Sequence, residues 1–261
     1  MDVGERWDRL SDPSRLGAVA ALERQLVGLR YQFVDCRWEL GKPGRGRDLY
    51  RAGHIPGAGF LDVDADLSAP AGPRGRHPLP ESHAFARAAG RMGIGDGVFV
   101  VAYGNMGGAE RLWWLLRHFG HEACAVIELD AWQGPLTTGD EGIEPAEFIP
   151  RPRDDDTIDA AELERRRGEL VVVDARLPAR WRGETNPLDQ IPGRIPAALN
   201  APWNETPPEL PEGELVAYCG SGVTATVLLH RLHLAGREGR LYPGSWSEWE
   251  QLRLPVERDL V

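Results

Sequence analysis

Cysteine is scarce in this sequence of 261 residues, which contains only three. An odd number of cysteines does not form a disulfide framework. No C-x-x-C or H-x-x-x-H spacing occurs, so no metal site is indicated. No run of 18 apolar residues is present, which predicts that no helix spans a membrane. The opening segment MDVGERWDRLSDPSRLG is charged and lacks the apolar core of a signal peptide, so we expect a cytoplasmic protein with free thiols.

Positive charge is in deficit as well. The chain has 30 Lys and Arg against 40 Asp and Glu, a formal net charge of −10. This balance argues against nucleic acid or an anionic membrane surface as the main partner. It does not exclude a small anionic substrate, because a few arginines at a binding site can outweigh the net negative charge of the whole chain there. The 42% of hydrophobic residues is enough for a substantial core.

The chain has two halves that resemble each other. Four blocks of similar sequence follow in the same order: 33–37 with 172–176, 52–64 with 192–204, 100–120 with 215–236, and 125–132 with 239–246. This order predicts two related domains, at residues 1–140 and 157–261. The polar, proline-rich residues 141–156 are predicted to form the linker between them.

The matched blocks indicate an α/β fold. Short β-branched runs such as QFVDC, FVVAY, LVVVD and ELVAY are typical of buried parallel strands. Segments such as HAFARAAGRMG and ERLWWLLRHFG have helical spacing and end in glycine. We therefore expect two tandem domains, each a mostly parallel sheet flanked by helices. The second is shortened, and is predicted to lack a counterpart of the helix at 81–93.

The stretch AYCGSGVTA, residues 217–225, places Cys219 between a strand and a helix. Glycines allow the loop amides to turn inward as a nest that binds an anion, and such a nest stabilises a thiolate. The loop residues predicted to contact the substrate in this way are Gly220, Gly222, Val223 and Thr224. A buried structural cysteine is the alternative. A cysteine phosphatase would need an arginine at position 225 to hold phosphate, and Ala225 stands there.

The other two cysteines stand in a different context. Cys36 and Cys124 each lie in or beside an apolar, strand-like run. Both are expected to be buried structural thiols.

Several motifs together resemble the two-domain rhodanese family of sulfurtransferases, over residues 20–255. They are the loop CGSGVTA before a helix, the two D-x-R…G-x-I-P blocks and the segment YPGSWSEW. The resemblance implies a catalytically silent N-terminal copy and a C-terminal copy in which Cys219 carries sulfane sulfur as a persulfide. It implies a small-molecule sulfur donor, a thiol, thioredoxin-like or cyanide acceptor, and no metal or organic cofactor. The loop resembles the mercaptopyruvate branch, which favours 3-mercaptopyruvate and leaves thiosulfate open.

Further site residues follow from the same resemblance. Within ARWRGE, Arg180 matches the family arginine that binds the donor's carboxylate or sulfonate, and Arg182 is a second candidate. Asp64 and His77 of the first half match residues that reach toward the loop serine, Ser221. A relay through these three groups would help to protonate the enolate that remains when sulfur departs. Alternatively, the three form a structural hydrogen-bond network.

Two positions depart from the family pattern, and two residues have an open role. Asp189 stands near the place of a second substrate arginine, and Arg194 replaces the histidine of the G-H-I-P-G motif. Trp246 and Trp249 either line the pocket or pack in the core. An alternative function also stays open, in which a sulfur-carrier or protein-binding module delivers persulfide sulfur to a partner protein.

Overall fold

The computed structural model describes residues 30–184 and 186–259. The beginning of the first predicted domain, residues 1–29, and the first ten positions of the family resemblance therefore lie outside the described residues. The chain divides into two compact units. The first contains the described residues up to Ser68 together with Pro80–Arg153, and the second contains Ala69–Leu79 together with the residues from Asp154 onward. Residues 69–79, which belong to the first half of the sequence, thus fold with the second unit.

The first unit is built around a parallel sheet. Its elements are β1 (Arg30–Cys36), α1 (Arg45–Ala52), β2 (Gly59–Phe60), α2 (Ser82–Arg91), β3 (Val98–Gly104), α3 (Gly108–His118) and β4 (Cys124–Ile127). The strand order is β2-β1-β3-β4, and every pairing is parallel. The apolar runs in β1 and β3 are buried, as expected for strands covered on both faces.

The second unit repeats this plan. Its elements are α4 (Ala160–Arg166), β5 (Val171–Asp174), α5 (Pro178–Arg182), β6 (Leu199–Asn200), β7 (Leu215–Tyr218), α6 (Ala225–Leu234), β8 (Arg240–Leu241) and α7 (Ser245–Gln251). The strand order β6-β5-β7-β8 is again all parallel. Residues 201–214 contain no helix, so this unit lacks a counterpart of α2, as predicted. The α/β prediction with a shortened second copy is confirmed.

The two cysteines outside the loop are structural. Cys36 ends β1 and is fully buried, and Cys124 begins β4 at 7% exposure. Burial raises the pKa of both thiols, so neither forms a thiolate readily near neutral pH. The prediction for these two residues is confirmed.

An Asp–Arg pair fixes the C-terminal end of one inner strand in each sheet, β1 and β5. In the second unit, Arg176 donates to both carboxylate oxygens of Asp174 at 2.6–3.0 Å and to the Gly193 carbonyl at 2.7 Å. Both side chains are fully buried. The first unit makes the same contacts with its own residues: Asp35, Arg37 and Gly53. The repeated D-x-R motif is therefore a structural clamp between a strand end and the following G-x-I-P turn.

Removal of the clamp arginine is expected to destabilise the second unit strongly. Arg176→Met leaves the Asp174 carboxylate buried without its partner, and breaking such a pair typically costs about 3–5 kcal/mol. Urea denaturation measures the free energy of unfolding. Arg182→Met is the matched control, because Arg182 forms an exposed ion pair with Glu184 that contributes little. Equal losses in the two variants would contradict the role of the clamp.

Candidate active site

The loop between β7 and α6 holds the candidate nucleophile. Cys219 directly follows β7 and is 1% exposed. The Gly222 amide donates to its Sγ atom at 3.2 Å. Gly222 has φ of 83°, and a Cβ there would lie 2.5 Å from the Pro243 carbonyl oxygen, so this position requires glycine. The loop therefore turns at least one amide toward the sulfur, in the manner of an anion-binding nest.

Residues at the start of α7 hold the backbone of this loop by hydrogen bonds. The Ser245 hydroxyl accepts from the Cys219 amide at 3.1 Å, and the Trp246 amide donates to the Cys219 carbonyl at 3.0 Å. The Ser247 amide donates to the Gly220 carbonyl at 3.0 Å. Sequence reasoning missed both serines, although the segment YPGSWSEW that contains them stood out. They fix the backbone that bears the Cys219 thiol.

The two tryptophans of α7 are core residues. Trp246 and Trp249 are fully buried. The indole N–H of Trp246 donates to the Ile191 carbonyl, and the Arg176 guanidinium lies 4.5 Å from the centre of its ring. Of the two roles that the sequence left open, core packing is therefore the correct one.

His77 and Ser221 meet within the second unit. The Nδ1 atom of His77 lies 2.7 Å from the Ser221 hydroxyl oxygen, and both residues are less than 10% exposed. Asp64 belongs to the first unit, where its side chain is exposed and its amide donates to the Asp62 carboxylate. The structure thus brings together the histidine and the serine of the predicted relay. The part of Asp64 in that relay stays a prediction.

Arg180 reaches the loop but is already paired. Its Nε and Nη2 atoms donate to the two carboxylate oxygens of Asp189, at 2.8 and 2.5 Å. A Cβ added to Gly220 would lie 2.8 Å from Arg180 Nη2, so the guanidinium borders the loop. Burial opposes ionisation of Asp189, but Arg180 and Arg176 outweigh it and hold the pKa of this carboxyl below its usual value.

Arg182 is placed differently from Arg180. Its guanidinium is half exposed and donates to Glu184 at 2.7 and 3.0 Å. The nearest side-chain atoms around Gly220 belong to Arg180 and Arg76, and not to Arg182. Of the two candidate arginines, Arg180 is therefore the one that lies beside Gly220. The role of Arg182 stays a prediction.

Arg194 is a structural departure from the family motif. It is 5% exposed, donates to Asp259 at 2.8 Å and to Glu257, and stacks over Trp181 at 3.9 Å. These contacts tie the end of the chain to the turn before β6. The replacement of histidine by arginine is explained by this local network.

Arg76 is a basic residue beside the loop that sequence reasoning did not identify. Its Nη2 atom donates to the Gly220 carbonyl at 3.2 Å, and its Nη1 atom donates to the Leu188 carbonyl at 2.6 Å. Burial and the nearby Arg180 charge lower its pKa. The only signal in the sequence is its place immediately before His77.

The first unit has a closed turn where the second has its cysteine. Gly104 ends β3 as Cys219 follows β7. A Cβ on Gly104 would lie 3.0 Å from both the Cys36 carbonyl oxygen and the Ala109 amide nitrogen. This turn therefore carries no nucleophile and leaves little space for one.

No cluster of three or more His, Cys, Asp or Glu side chains suited to a metal occurs at residues 30–184 and 186–259. Over the same residues, no helix is both long enough and apolar enough to cross a membrane.

Comparisons with known proteins find similar sequences and structures. The family model for the rhodanese-like domain matches residues 158–252, which contain the Cys219 loop. A Pseudomonas aeruginosa protein named "Probable 3-mercaptopyruvate sulfurtransferase" is 40% identical over 249 residues, covering 83% of this chain and 88% of the relative. The Homo sapiens 3-mercaptopyruvate sulfurtransferase is 36% identical over an alignment of 277 positions, gaps included, which covers 91% of each chain. The crystal structure of SseA from Escherichia coli superposes with a TM-score of 0.71 at 29% identity, covering 88% of this chain and 97% of SseA.

Proposed function

The chain belongs to the rhodanese family of sulfurtransferases, and from this premise we propose that it transfers the sulfur of 3-mercaptopyruvate through a persulfide on Cys219. The observation that carries the proposal is the Gly222 amide, which donates to the Cys219 sulfur at the head of a glycine loop. In the same proposal, the second unit is the catalytic domain and the first, with Gly104 at the matching turn, is silent.

The first step forms one bond and breaks another. The Cys219 thiolate attacks the sulfur of the donor, an S–S bond forms, and the C–S bond breaks with its electron pair left on carbon. The products are the Cys219 persulfide and the enolate of pyruvate. The amides of Gly220, Gly222, Val223 and Thr224 are proposed to hold the anionic outer sulfur.

The enolate needs a proton before it leaves as pyruvate. The Ser221 hydroxyl, 2.7 Å from His77 Nδ1, is proposed to supply it, and His77 then replaces the proton on Ser221. Asp64 is proposed to orient His77.

The second step regenerates the thiolate. A thiophilic acceptor such as cyanide, a small thiol or a thioredoxin-like protein attacks the outer sulfur, and the S–S electron pair returns to Cys219. Because the cysteines of the described residues are unpaired thiols, we propose a reducing compartment, the cytoplasm, as the site of action.

The proposal is tested by incubating the protein with a panel of sulfur donors. Mass spectrometry should find an adduct of about 32 Da, one sulfur atom, on the Cys219 peptide. Addition of cyanide or a thiol should remove it with release of thiocyanate or a new persulfide. An adduct that only a partner protein discharges would instead favour a sulfur carrier.

The donor preference is a separate prediction. Gly220 and Ser221 add no charge to the loop, so the site suits a monoanionic carboxylate better than the thiosulfate dianion. Loss of a charge-assisted contact typically lowers affinity about 10- to 150-fold. We expect kcat/KM to favour 3-mercaptopyruvate by a factor in that range. A clear preference for thiosulfate would contradict the donor and leave the family membership intact.

A further inference from the structure

The arginine that borders the loop from α5 already has a carboxylate partner. Asp189 occupies the Nε and Nη2 donors of Arg180 in a two-pronged ion pair. Asp189 is itself buried and also paired with Arg176, so it does not swing away into solvent. A donor carboxylate that relied on Arg180 would have to compete with this internal carboxylate.

Arg76 is in the opposite situation. It makes no ion pair in the part of the chain that the structure describes, and its guanidinium donates only to the neutral carbonyls of Leu188 and Gly220. Its Nε atom is buried without a hydrogen-bond partner. The Oε2 atom of the nearby Glu250 accepts from the amides of Gln190 and Ile191, at 2.7 and 2.9 Å.

The position of Arg76 also suits a role at the reacting atoms. A Cβ added to Gly220 would lie 2.8 Å from Arg76 Nη2, the same distance as from Arg180 Nη2. Burial and the Arg180 charge lower the pKa of Arg76, and the weaker influences of Asp189, Cys219 and Glu250 oppose them. An unpaired guanidinium thus stands directly beside the residue that follows the nucleophile.

We propose that Arg76 binds the carboxylate of the sulfur donor and that the Arg180–Asp189 pair acts as a neutral wall of the same pocket. This inference rests on the proposed function, because it names the residue that recognises the carboxylate of that donor. Each Nη nitrogen of Arg76 keeps one hydrogen beyond the bond described above, so two donors remain for the two carboxylate oxygens. Donor specificity then comes from residues 69–79, which precede the catalytic half in the sequence.

A pair of alkylating reagents tests this without any turnover. Iodoacetate and iodoacetamide have similar size and reactivity, but only iodoacetate carries a carboxylate. The rate at which each modifies Cys219 is followed by mass spectrometry of its peptide. Arg76→Gln should lower the ratio of the iodoacetate rate to the iodoacetamide rate about 10-fold or more, because one charge-assisted contact is lost. Arg167→Gln, which removes a cation paired with Glu164 elsewhere in the unit, should leave the ratio unchanged.

The ratio separates recognition from loop structure. If Arg76 only supports the loop through Gly220, both reagents slow alike in Arg76→Gln, and the proposal is overturned. Arg76→Lys keeps the charge and should retain most of the wild-type ratio; a ratio as low as that of Arg76→Gln would overturn the electrostatic role. A thermal melt of each variant identifies any that fail to fold. If Arg76→Gln is one of them, an Arg76→Lys ratio about 10-fold below the wild-type ratio overturns the proposal.

Steady-state kinetics link the result to the reaction. Arg76→Gln should raise KM for 3-mercaptopyruvate about 10-fold or more with a smaller effect on kcat. Wild-type protein that prefers iodoacetate in an Arg76-dependent way, yet does not turn over 3-mercaptopyruvate, would refute the proposed donor while supporting the anion-binding role. Turnover with an unchanged KM in Arg76→Gln would refute the role of Arg76 alone.

Discussion

Cys219→Ser is expected to reduce sulfur transfer at least about 10⁴-fold, because a serine hydroxyl neither ionises at neutral pH nor stores sulfane sulfur. The Cys219 sulfur accepts a hydrogen bond from the Gly222 amide, and Ser245 holds the backbone of the loop. A serine oxygen is smaller than this sulfur, so the substitution should leave the fold intact. Rates of pyruvate release from 3-mercaptopyruvate and of thiocyanate release from cyanide measure the loss. A circular dichroism melt should show a transition close to that of the wild type.

Cys36→Ser and Cys124→Ser are the matched controls for this result. Each places a hydroxyl in a buried site that the thiol filled as a small apolar group, and an unsatisfied buried hydroxyl costs about 1–3 kcal/mol. Both variants should melt earlier and keep most of their activity. Retention of substantial transfer in Cys219→Ser, or its loss in a folded Cys36→Ser or Cys124→Ser protein, would overturn the identity of the nucleophile.

His77→Ala is expected to slow transfer from 3-mercaptopyruvate about 10²–10⁴-fold, the usual value of general acid–base assistance. The enolate that leaves this donor needs a proton, and His77 contacts the Ser221 hydroxyl that would supply it. Transfer from thiosulfate should change little, because its sulfite leaving group is already a stable anion. Single-turnover rates of persulfide formation with each donor give the two ratios directly.

Ser221→Ala provides the companion measurement. If the hydroxyl is the final proton donor, this variant loses activity with 3-mercaptopyruvate to a similar extent, and His77→Ala adds little in the double variant. A structural His77 would lower the melting temperature and slow both donors equally. That outcome would mean that the contact between His77 and Ser221 stabilises the structure and takes no part in proton transfer.

The strands of the fold and the candidate nucleophile could be predicted from the sequence, since both predictions depend on local signals. The apolar runs that became β1, β3, β5 and β7 are β-branched and bounded by turns. Cys219 stood out because glycines follow it in a short loop before a helix, whereas Cys36 and Cys124 lie in or beside apolar, strand-like runs.

The charged surroundings of the loop could not be read in this way, since they depend on long-range pairing. The family resemblance placed Arg180 before Arg182, but nothing in ARWRGE indicates that Arg180 pairs with the buried Asp189 and Arg182 with the exposed Glu184. Arg76 lies 144 positions before Gly220, and nothing near it in sequence indicates that residues 69–79 fold against the loop. Hydrogen-bond partners at such separations follow from tertiary packing and leave no periodic pattern.

The tight turn after β3 bears on how a thiol could be built into the first unit. A Cβ at Gly104 would lie 3.0 Å from the Cys36 carbonyl oxygen and the Ala109 amide nitrogen, so Gly104→Cys alone would require these backbone groups to shift by a few tenths of an ångström. A thiol at this turn therefore needs an adjustment of the neighbouring backbone as well as the new side chain.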